Sequence, residues 1–594
     1  MNTETNAYEG AASGQEAAQT EIKKQKNDTT NSTKSTTTNQ VTPFEADDTG
    51  VYSIEGNNSK RRICGPLKIL AFTRDESGLD WGRLLEFKDP DGKIRRWTMP
   101  AQMLKGDGSE YRGILLAQGF DIAGKSMHEK LSEYIRSQQP IARVTCVSKT
   151  GWYKGVFVLP EQTIGKSSTS EEIVYQVNYA ATTQLKQVGT YEDWVARIGT
   201  QCTGQHRLIY MISAAISAPI LELIGAESSG VHYVGGSSVG KSTGIKLATS
   251  FFSSPDYNLT WNSTNVGLEG NASSRCDLPL VLDEIGQADG ALVGQAIYTL
   301  CNGSGKGRGN IHGDARKSKL LRNRILSSGE VEVSSHITSS GKTSRAGHSV
   351  RLVNIPANAE KGFGILDFVP TGFDTAGDFI DYLNEQAKTV YGGPGLELIR
   401  KLAAERDKAA GNIRRGQELW LAKNLPKGAT EQVARVAKQF AITAAAGELA
   451  TELGLTGWTK TESFAAAKVC FEAWLANRSS NEPEEDAQAV KAVRNFIESN
   501  QFTRFIPWAV DQRKDKNIYG GFVGYVDGDA RFLLTPGGFE EACKGFAVKV
   551  VSDALTRKGM LESDPDGKTS RAVYEPEKKK TKRFYVIPSK ILES

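Results

Sequence analysis

Cysteine and histidine are scarce in this chain. Seven cysteines and six histidines are spread over 594 residues. No two cysteines stand at C-x-x-C spacing, which excludes a zinc ribbon and a disulfide scaffold and suits a reducing cytosol. The scattered histidines give little support to a His-based metal centre. Long apolar runs are missing too. The most apolar stretch, residues 208–221, is too short for a membrane span, carries Ser213, Ser217 and Pro219, and is followed by Glu222. It reads as a buried helix. The N-terminus lacks the apolar segment of a signal peptide, so a cytoplasmic chain with no membrane partner is the expectation. Charge of one sign is also lacking: 73 Lys and Arg face 69 Asp and Glu, a net +4. That excludes a histone-like or acidic polymer but leaves local basic patches open.

What is present points to several globular units. Length alone suggests roughly three to five domains. Residues 1–55 are rich in Thr, Asn, Ser, Gln and Lys and nearly free of aromatic and branched apolar residues. Such a segment cannot bury enough surface to offset its ordering entropy, and a disordered tail is expected. Residues 56–185 alternate short apolar runs with turn signals, including Asp91-Gly92 between two strand candidates. They predict an α+β accessory domain without readable chemistry. A helical connector follows over 186–228, then a βα-alternating core over 229–370. A helix-rich region covers 371–484 and a mixed domain with a basic end covers 485–594.

One motif decides the chemistry. Gly235, Gly236, Ser237, Ser238, Val239, Gly240, Lys241 and Ser242 match G-x-x-x-x-G-K-S/T, between an apolar strand at 231–234 and a helix that begins near Thr243. Glycines let backbone N–H groups wrap phosphate oxygens, and the helix start adds its positive dipole end. Lys241 is the expected contact to the β- and γ-phosphates of ATP, Ser242 the expected Mg2+ ligand, and Thr243 the last residue of the expected nucleotide-binding set. Downstream, an apolar strand ends in Asp283-Glu284. Asp283 is expected to hold the metal and Glu284 to act as general base on the attacking water.

Five strand candidates then fall at 231–234, 258–261, 280–283, 324–327 and 351–355. This pattern fits an AAA+ P-loop ATPase core: a parallel five-stranded sheet with a helical lid. Ser328 at the polar tip of the fourth strand is the expected γ-phosphate sensor, with Ser327 the alternative. Arg351, before the fifth strand, is the expected arginine finger toward a neighbouring subunit, with Arg345 the competitor. Arg435, in the helical region after the core, is the candidate for a second sensor.

Two basic patches suggest nucleic acid. Residues 301–324 carry Lys306, Arg308, Arg316, Lys317, Lys319, Arg322 and Arg324 against a single acid, Asp314. A loop there would neutralise phosphates and bind in a salt-dependent way. Near the C-terminus, two helices followed by a β-ribbon make a winged-helix pattern, with Lys578, Lys579, Lys580, Lys582 and Arg583 on or near the wing.

These stretches resemble the domain-of-unknown-function-927 proteins of bacterial mobile elements and prophages, which are often labelled helicase-like. Some of these are similar to MCM-type self-loading AAA+ helicases. The resemblance rests on Ile63-Cys64-Gly65-Pro66-Leu67, Gly151-Trp152, the Gly235–Ser242 motif and Trp261-Asn262-Ser263-Thr264. It rests further on the run from Leu282 to Asp289, Asn302-Gly303-Ser304-Gly305-Lys306, Ser327-Ser328-Gly329-Glu330 and Ala446-Gly447-Glu448-Leu449-Ala450. It implies a homo-oligomeric ring, a hexamer being the expectation, that translocates on single-stranded or forked DNA in replication of a mobile element, with a primase or initiator as a possible partner. An ATP-dependent DNA-binding switch or loader that hydrolyses ATP without unwinding is the alternative.

Overall fold

The computed structural model describes residues 43–55, 59–176, 185–309, 315–316, 318–342, 344–478, 484–507, 522–526, 529–543, 546–575 and 580–593. At its centre lies a parallel five-stranded sheet. Its strands are β1 (Ser229–Val234), β2 (Leu259–Thr260), β3 (Pro279–Asp283), β4 (Arg324–Gly329) and β5 (Leu352–Pro356). They lie in the order 2-3-4-1-5. β1 pairs on both edges, with β4 and with β5. It is buried nearly throughout, as expected of a central parallel strand whose two faces are both covered. All five strands point the same way, so their C-terminal ends form one edge of the sheet and their N-terminal ends the other.

Helices α1 (Lys241–Ser250), α2 (Asn265–Ser273), α3 (Gly290–Cys301) and α4 (Val333–Ser339) connect the strands. The helix His206–Ile216, almost wholly buried, packs with α1 and with the long helices Glu431–Glu452 and Glu462–Ala476 in one large core. Its aromatic centre stacks Tyr210 on Phe440 and Phe440 near Trp420 and Phe471. Among the described residues no single helix is long and apolar enough to cross a membrane. The bent pair His206–Ile216 and Ala218–Ile224 would pass only together, and its apolar residues are buried inside this core.

The N-terminal unit begins earlier than composition predicts. Strands Phe44–Asp47 and Gly50–Glu55 fall inside the expected tail, paired in a three-stranded sheet with Ser59–Cys64. The short first strand exposes three of its four residues and buries only Phe44, so its composition reads as tail. Residues 1–42 lie outside the described residues. A second, mixed sheet includes Leu67–Asp75, Gly82–Lys88 and Ile94–Pro100, the middle turn being made by Gly92 at φ 77°. A later hairpin of this unit, Gly151–Tyr153 with Val156–Val158, inserts Trp152 and Phe157 into the main core.

That insertion is held at the N-terminal edge of the central sheet. Asp277, fully buried just before β3, accepts from the Trp152 amide at 2.8 Å and from both Nε and Nη2 of Arg322. Gly151 must be glycine here: its φ is 92°, and a Cβ would stand 2.3 Å from the Asp277 carboxylate. The Trp152 indole N–H donates to the Pro219 carbonyl at 2.7 Å, and the Arg406 guanidinium covers its ring.

The C-terminal unit has its own core. Helices Glu484–Asn500, Pro536–Ala542 and Val548–Arg557 pack on a sheet that ends in the antiparallel pair Arg571–Glu575 and Lys580–Pro588. Arg557 clamps Asp486 with two bonds, tying the third of these helices to the first.

Candidate functional site

The glycine-rich loop leaves β1 and enters α1 at the C-terminal edge of the sheet. Gly240 caps α1 in the left-handed conformation (φ 95°, ψ 9°) without any side-chain cap, so no side chain occupies the amides at the helix start. A Cβ on Gly240 would come within 2.6 Å of Ile365. The segment around Ile365 clamps the loop from outside: the Ile365 amide donates to the Val239 carbonyl at 2.8 Å. Sequence spacing gave no sign of this clamp. Lys241 is only 7% exposed. Its ammonium donates to the carbonyls of Gly235 (2.7 Å) and Gly236 (2.6 Å), which leaves one of its three hydrogens for a ligand. Ser242 is exposed at the mouth. Thr243 is buried instead, and its hydroxyl accepts from Asn384 of the helix Ala376–Thr389 at 3.1 Å. That bond ties α1 to the helix Ala376–Thr389.

The acidic pair ends β3 at the same edge. Asp283 Oδ1 accepts from the Ser328 hydroxyl and, at 3.1 Å, from the Glu284 amide. Among the described residues its Oδ2 takes no protein hydrogen bond. Glu284 stands in the left-handed region (φ 55°, ψ 78°), a position that costs a non-glycine residue roughly 1 kcal/mol or more. Strain of this kind aims a side chain away from the regular strand path.

The two serines of β4 separate cleanly. Ser328 faces Asp283 and also accepts from the Glu284 amide at 3.3 Å. Ser327 points to the other face and belongs to a buried chain. There the Trp261 indole N–H donates to Ser327 Oγ at 2.9 Å, and Ser327 bonds His232 Nδ1 at 2.9 Å. His232 Nε2 in turn reaches the Val331 carbonyl at 3.0 Å. Since a carbonyl only accepts, Nε2 carries the hydrogen, Nδ1 accepts, and Ser327 donates. Burial pushes the His232 imidazole down to about 4, so the ring stays neutral. Of the two serines, Ser328 is therefore the one bonded to the acidic pair, and Ser327 is a structural link.

The arginines lie elsewhere. Arg351 precedes β5 at the opposite, N-terminal edge, so it cannot join the loop of its own chain. It stacks over Tyr298 and bonds the Gly347 carbonyl at 3.1 Å. Arg345 is exposed at the start of a short helix. Arg435, expected as a second sensor, lines a hollow with Arg351 at that same far edge. A role at its own chain's loop is thereby excluded.

The basic segment between α3 and β4 forms an antiparallel ribbon, with Arg308 opposite Arg316 and Gly305 paired to Lys319. Lys306 and Lys319 are exposed. Lys317 and residues 310–314 lie outside the described residues. Two of the seven cations do not belong to this patch. Arg322 is consumed by Asp277, and Arg324 is fully buried, bonded to Ser229 and Thr443. In the C-terminal unit Lys580 and Lys582 are exposed, while Arg583 pairs with Asp564 at 2.7 Å. Lys578 and Lys579 lie outside the described residues.

A loop of free amides, a lysine, a metal-competent carboxylate and a second carboxylate now share one edge. Residues 44–320 match the family model described as a domain of unknown function, DUF927. The DUF927 segment thus takes in the N-terminal unit, the glycine-rich loop, the acidic pair and most of the basic ribbon. It stops short of β4 and its serines. Among solved structures, one described as "SCCmec type IV Cch - active helicase" is similar over 93% of this chain and 99% of its own, at 17% identity and a TM-score of 0.68. At that identity the likeness shows the fold. No curated protein matches the chain.

Proposed function

We propose that the chain is an ATP-hydrolysing motor of the AAA+ type that acts on DNA as a helicase or translocase. One observation carries the reading. In a sheet of order 5-1-4-3-2, the glycine-rich loop, Asp283-Glu284 and Ser328 lie together on the C-terminal edge, with Ser328 bonded to Asp283. Nucleotides bind open parallel sheets at that edge.

In this reading Gly235 to Ser242 wrap the triphosphate, and Lys241 sets one N–H against it while the loop carbonyls fix its direction. Ser242 and the unengaged Oδ2 of Asp283 are the groups that would hold Mg2+, which supplies charge neutralisation at the phosphates. Glu284 orients the attacking water and takes its proton. Ser328 reports the state of the phosphate site to Asp283. Arg351, out of reach of its own loop, would serve the site of a neighbouring copy in a ring. The ribbon with Lys306 and Lys319, and the winged-helix-like C-terminal unit with Lys580 and Lys582, supply phosphate contacts to the nucleic acid.

The test is hydrolysis with and without single-stranded DNA, for wild type and Glu284→Gln, beside a forked-duplex unwinding assay. DNA-stimulated hydrolysis and unwinding, both lost in Glu284→Gln, support the motor. Hydrolysis by an assembled oligomer without unwinding on forks of either polarity replaces it with the switch or loader.

A further inference from the structure

The far edge of the sheet carries a second cationic site. A hollow of about 310 Å³ opens between the starts of β1 and β5 and the helix Glu431–Glu452. Arg351, Arg435 and Lys438 line it, against one exposed carboxylate, Glu227. No carboxylate among the described residues pairs with any of the three cations. Behind the wall stands Arg324, 0% exposed and without a carboxylate partner. Its Nη1 bonds the hydroxyl of Ser229, which itself lines the hollow, and its Nε has no partner. A buried cation left uncompensated is costly unless an anion balances it. The wall also offers one acceptor. Gln439 spends its amide N–H on the Val350 carbonyl at 2.6 Å, and its Oε1 is buried with no partner.

We propose that this hollow binds a phosphate-class oxyanion that also carries a hydrogen-bond donor, such as a protonated phosphate oxygen. Arg351, Arg435 and Lys438 contact the anion, Arg324 adds its field through Ser229, and Gln439 Oε1 takes the donor. The ligand is either free in solution or a phosphate presented by a neighbouring copy. Binding of the anion does not rest on the assignment of the glycine-rich loop; only a neighbour's nucleotide as its source does.

Inorganic pyrophosphate is the probe, titrated calorimetrically into full-length Lys241→Ala, whose loop site is disabled. Binding is expected. It should weaken at least roughly tenfold in Lys241→Ala/Arg435→Gln/Lys438→Gln and also with rising salt. Both added changes are at exposed positions, and circular dichroism checks the fold; Lys438→Glu alone should weaken binding further than Lys438→Gln. Assembled Glu284→Gln chains loaded with ATP then separate the sources. Exclusion of pyrophosphate marks the neighbour's nucleotide as the occupant, and retained binding marks a free ligand. No binding to Lys241→Ala, or binding unchanged by the Arg435 and Lys438 substitutions, overturns the proposal. Loop function is read separately, as ATP binding by Arg435→Gln/Lys438→Gln with Lys241 intact.

Discussion

Neighbouring serines on one strand should fail in opposite ways. Ser327→Ala removes the middle of the chain from Trp261 to His232. It strands an indole N–H and an imidazole Nδ1, both 1% exposed or less. Each unsatisfied buried group costs about 1–2 kcal/mol, in the lower part of the range for such groups. A total of roughly 2–4 kcal/mol is expected, felt where the chain crosses β1 and β4. Ser328→Ala instead removes one bond to Asp283 and one to the Glu284 amide, beside a half-buried carboxylate that solvent reaches. Its stability cost should stay under about 1.5 kcal/mol. Hydrolysis should fall on the order of 100-fold, as when one positioned hydrogen-bonding group is lost from a site that stabilises developing charge.

Hydrogen exchange on a peptide covering β4 reads the first effect, because it reports local opening in a protein of several units. Ser327→Ala should lower protection there by roughly 30- to 1,000-fold, at 1.4 kcal/mol per tenfold, with hydrolysis per folded molecule close to wild type. Ser328→Ala should keep protection and lose hydrolysis. The reverse pattern, protection intact in Ser327→Ala with hydrolysis lost, would refute the assignment of the two hydroxyls.

Three further outcomes follow from the same geometry. Gly240→Ala forces a Cβ into a φ of 95° and against Ile365 at 2.6 Å; destabilisation of about 2–4 kcal/mol and loss of binding of a fluorescent ATP analogue are expected, the first read by thermal unfolding. His232 has a folded value near 4 against 6.5 unfolded, so its contribution to stability is complete above pH 6.5 and is lost as pH falls through 4, at most about 3 kcal/mol; melting curves from pH 7.5 to 4.5 should show this slope in wild type and a shallower one in His232→Gln, which can keep both bonds. Asp277→Asn retains an acceptor for Trp152 and suits the left-handed φ of 59°, so it isolates the charge opposite Arg322. A loss of roughly 2–4 kcal/mol is expected, less than for a fully enclosed pair because Arg322 keeps 21% side-chain exposure, with faster proteolysis at the hairpin around Trp152.

The loop, the acidic pair and all five strands were legible in the sequence because each is local. A βα turn, an apolar run and its polar tip are decided within a few neighbouring residues. The strand limits moved by only one or two positions, from 231–234 to Ser229–Val234 for β1 and from 351–355 to Leu352–Pro356 for β5. The fate of single arginines was not legible. Arg322 and Arg324 read as members of a basic loop, yet one meets a carboxylate brought by the start of β3 and the other a threonine on Glu431–Glu452, both far away in sequence. Arg435 falls in the stretch read as helix-rich, but which end of the sheet its helix reaches is a tertiary fact. The tail boundary failed for a related reason: the strand Phe44–Asp47 contributes one buried side chain, and its pairing with Gly50–Glu55 supplies the rest.

The two edges of the sheet make different demands, and the same two strands answer both. β3 and β4 pair in register from Pro279 opposite Arg324 to Leu282 opposite Ser327. At about 3.3 Å per residue, five residues separate the edges by roughly 17 Å. At one end Asp283 and Ser328 meet through a hydrogen bond that depends on that register; a slip of one residue would turn Ser328 away and bring Ser327 forward. At the other end Asp277 and Arg322, one just before each strand, are joined by two bonds. The buried pair therefore does more than attach the Trp152 hairpin. It fixes the starts of the strands whose tips must present a carboxylate and a hydroxyl to each other. A nonpolar pair of equal volume would fill the same space, but it would not set which residue of β3 faces which residue of β4.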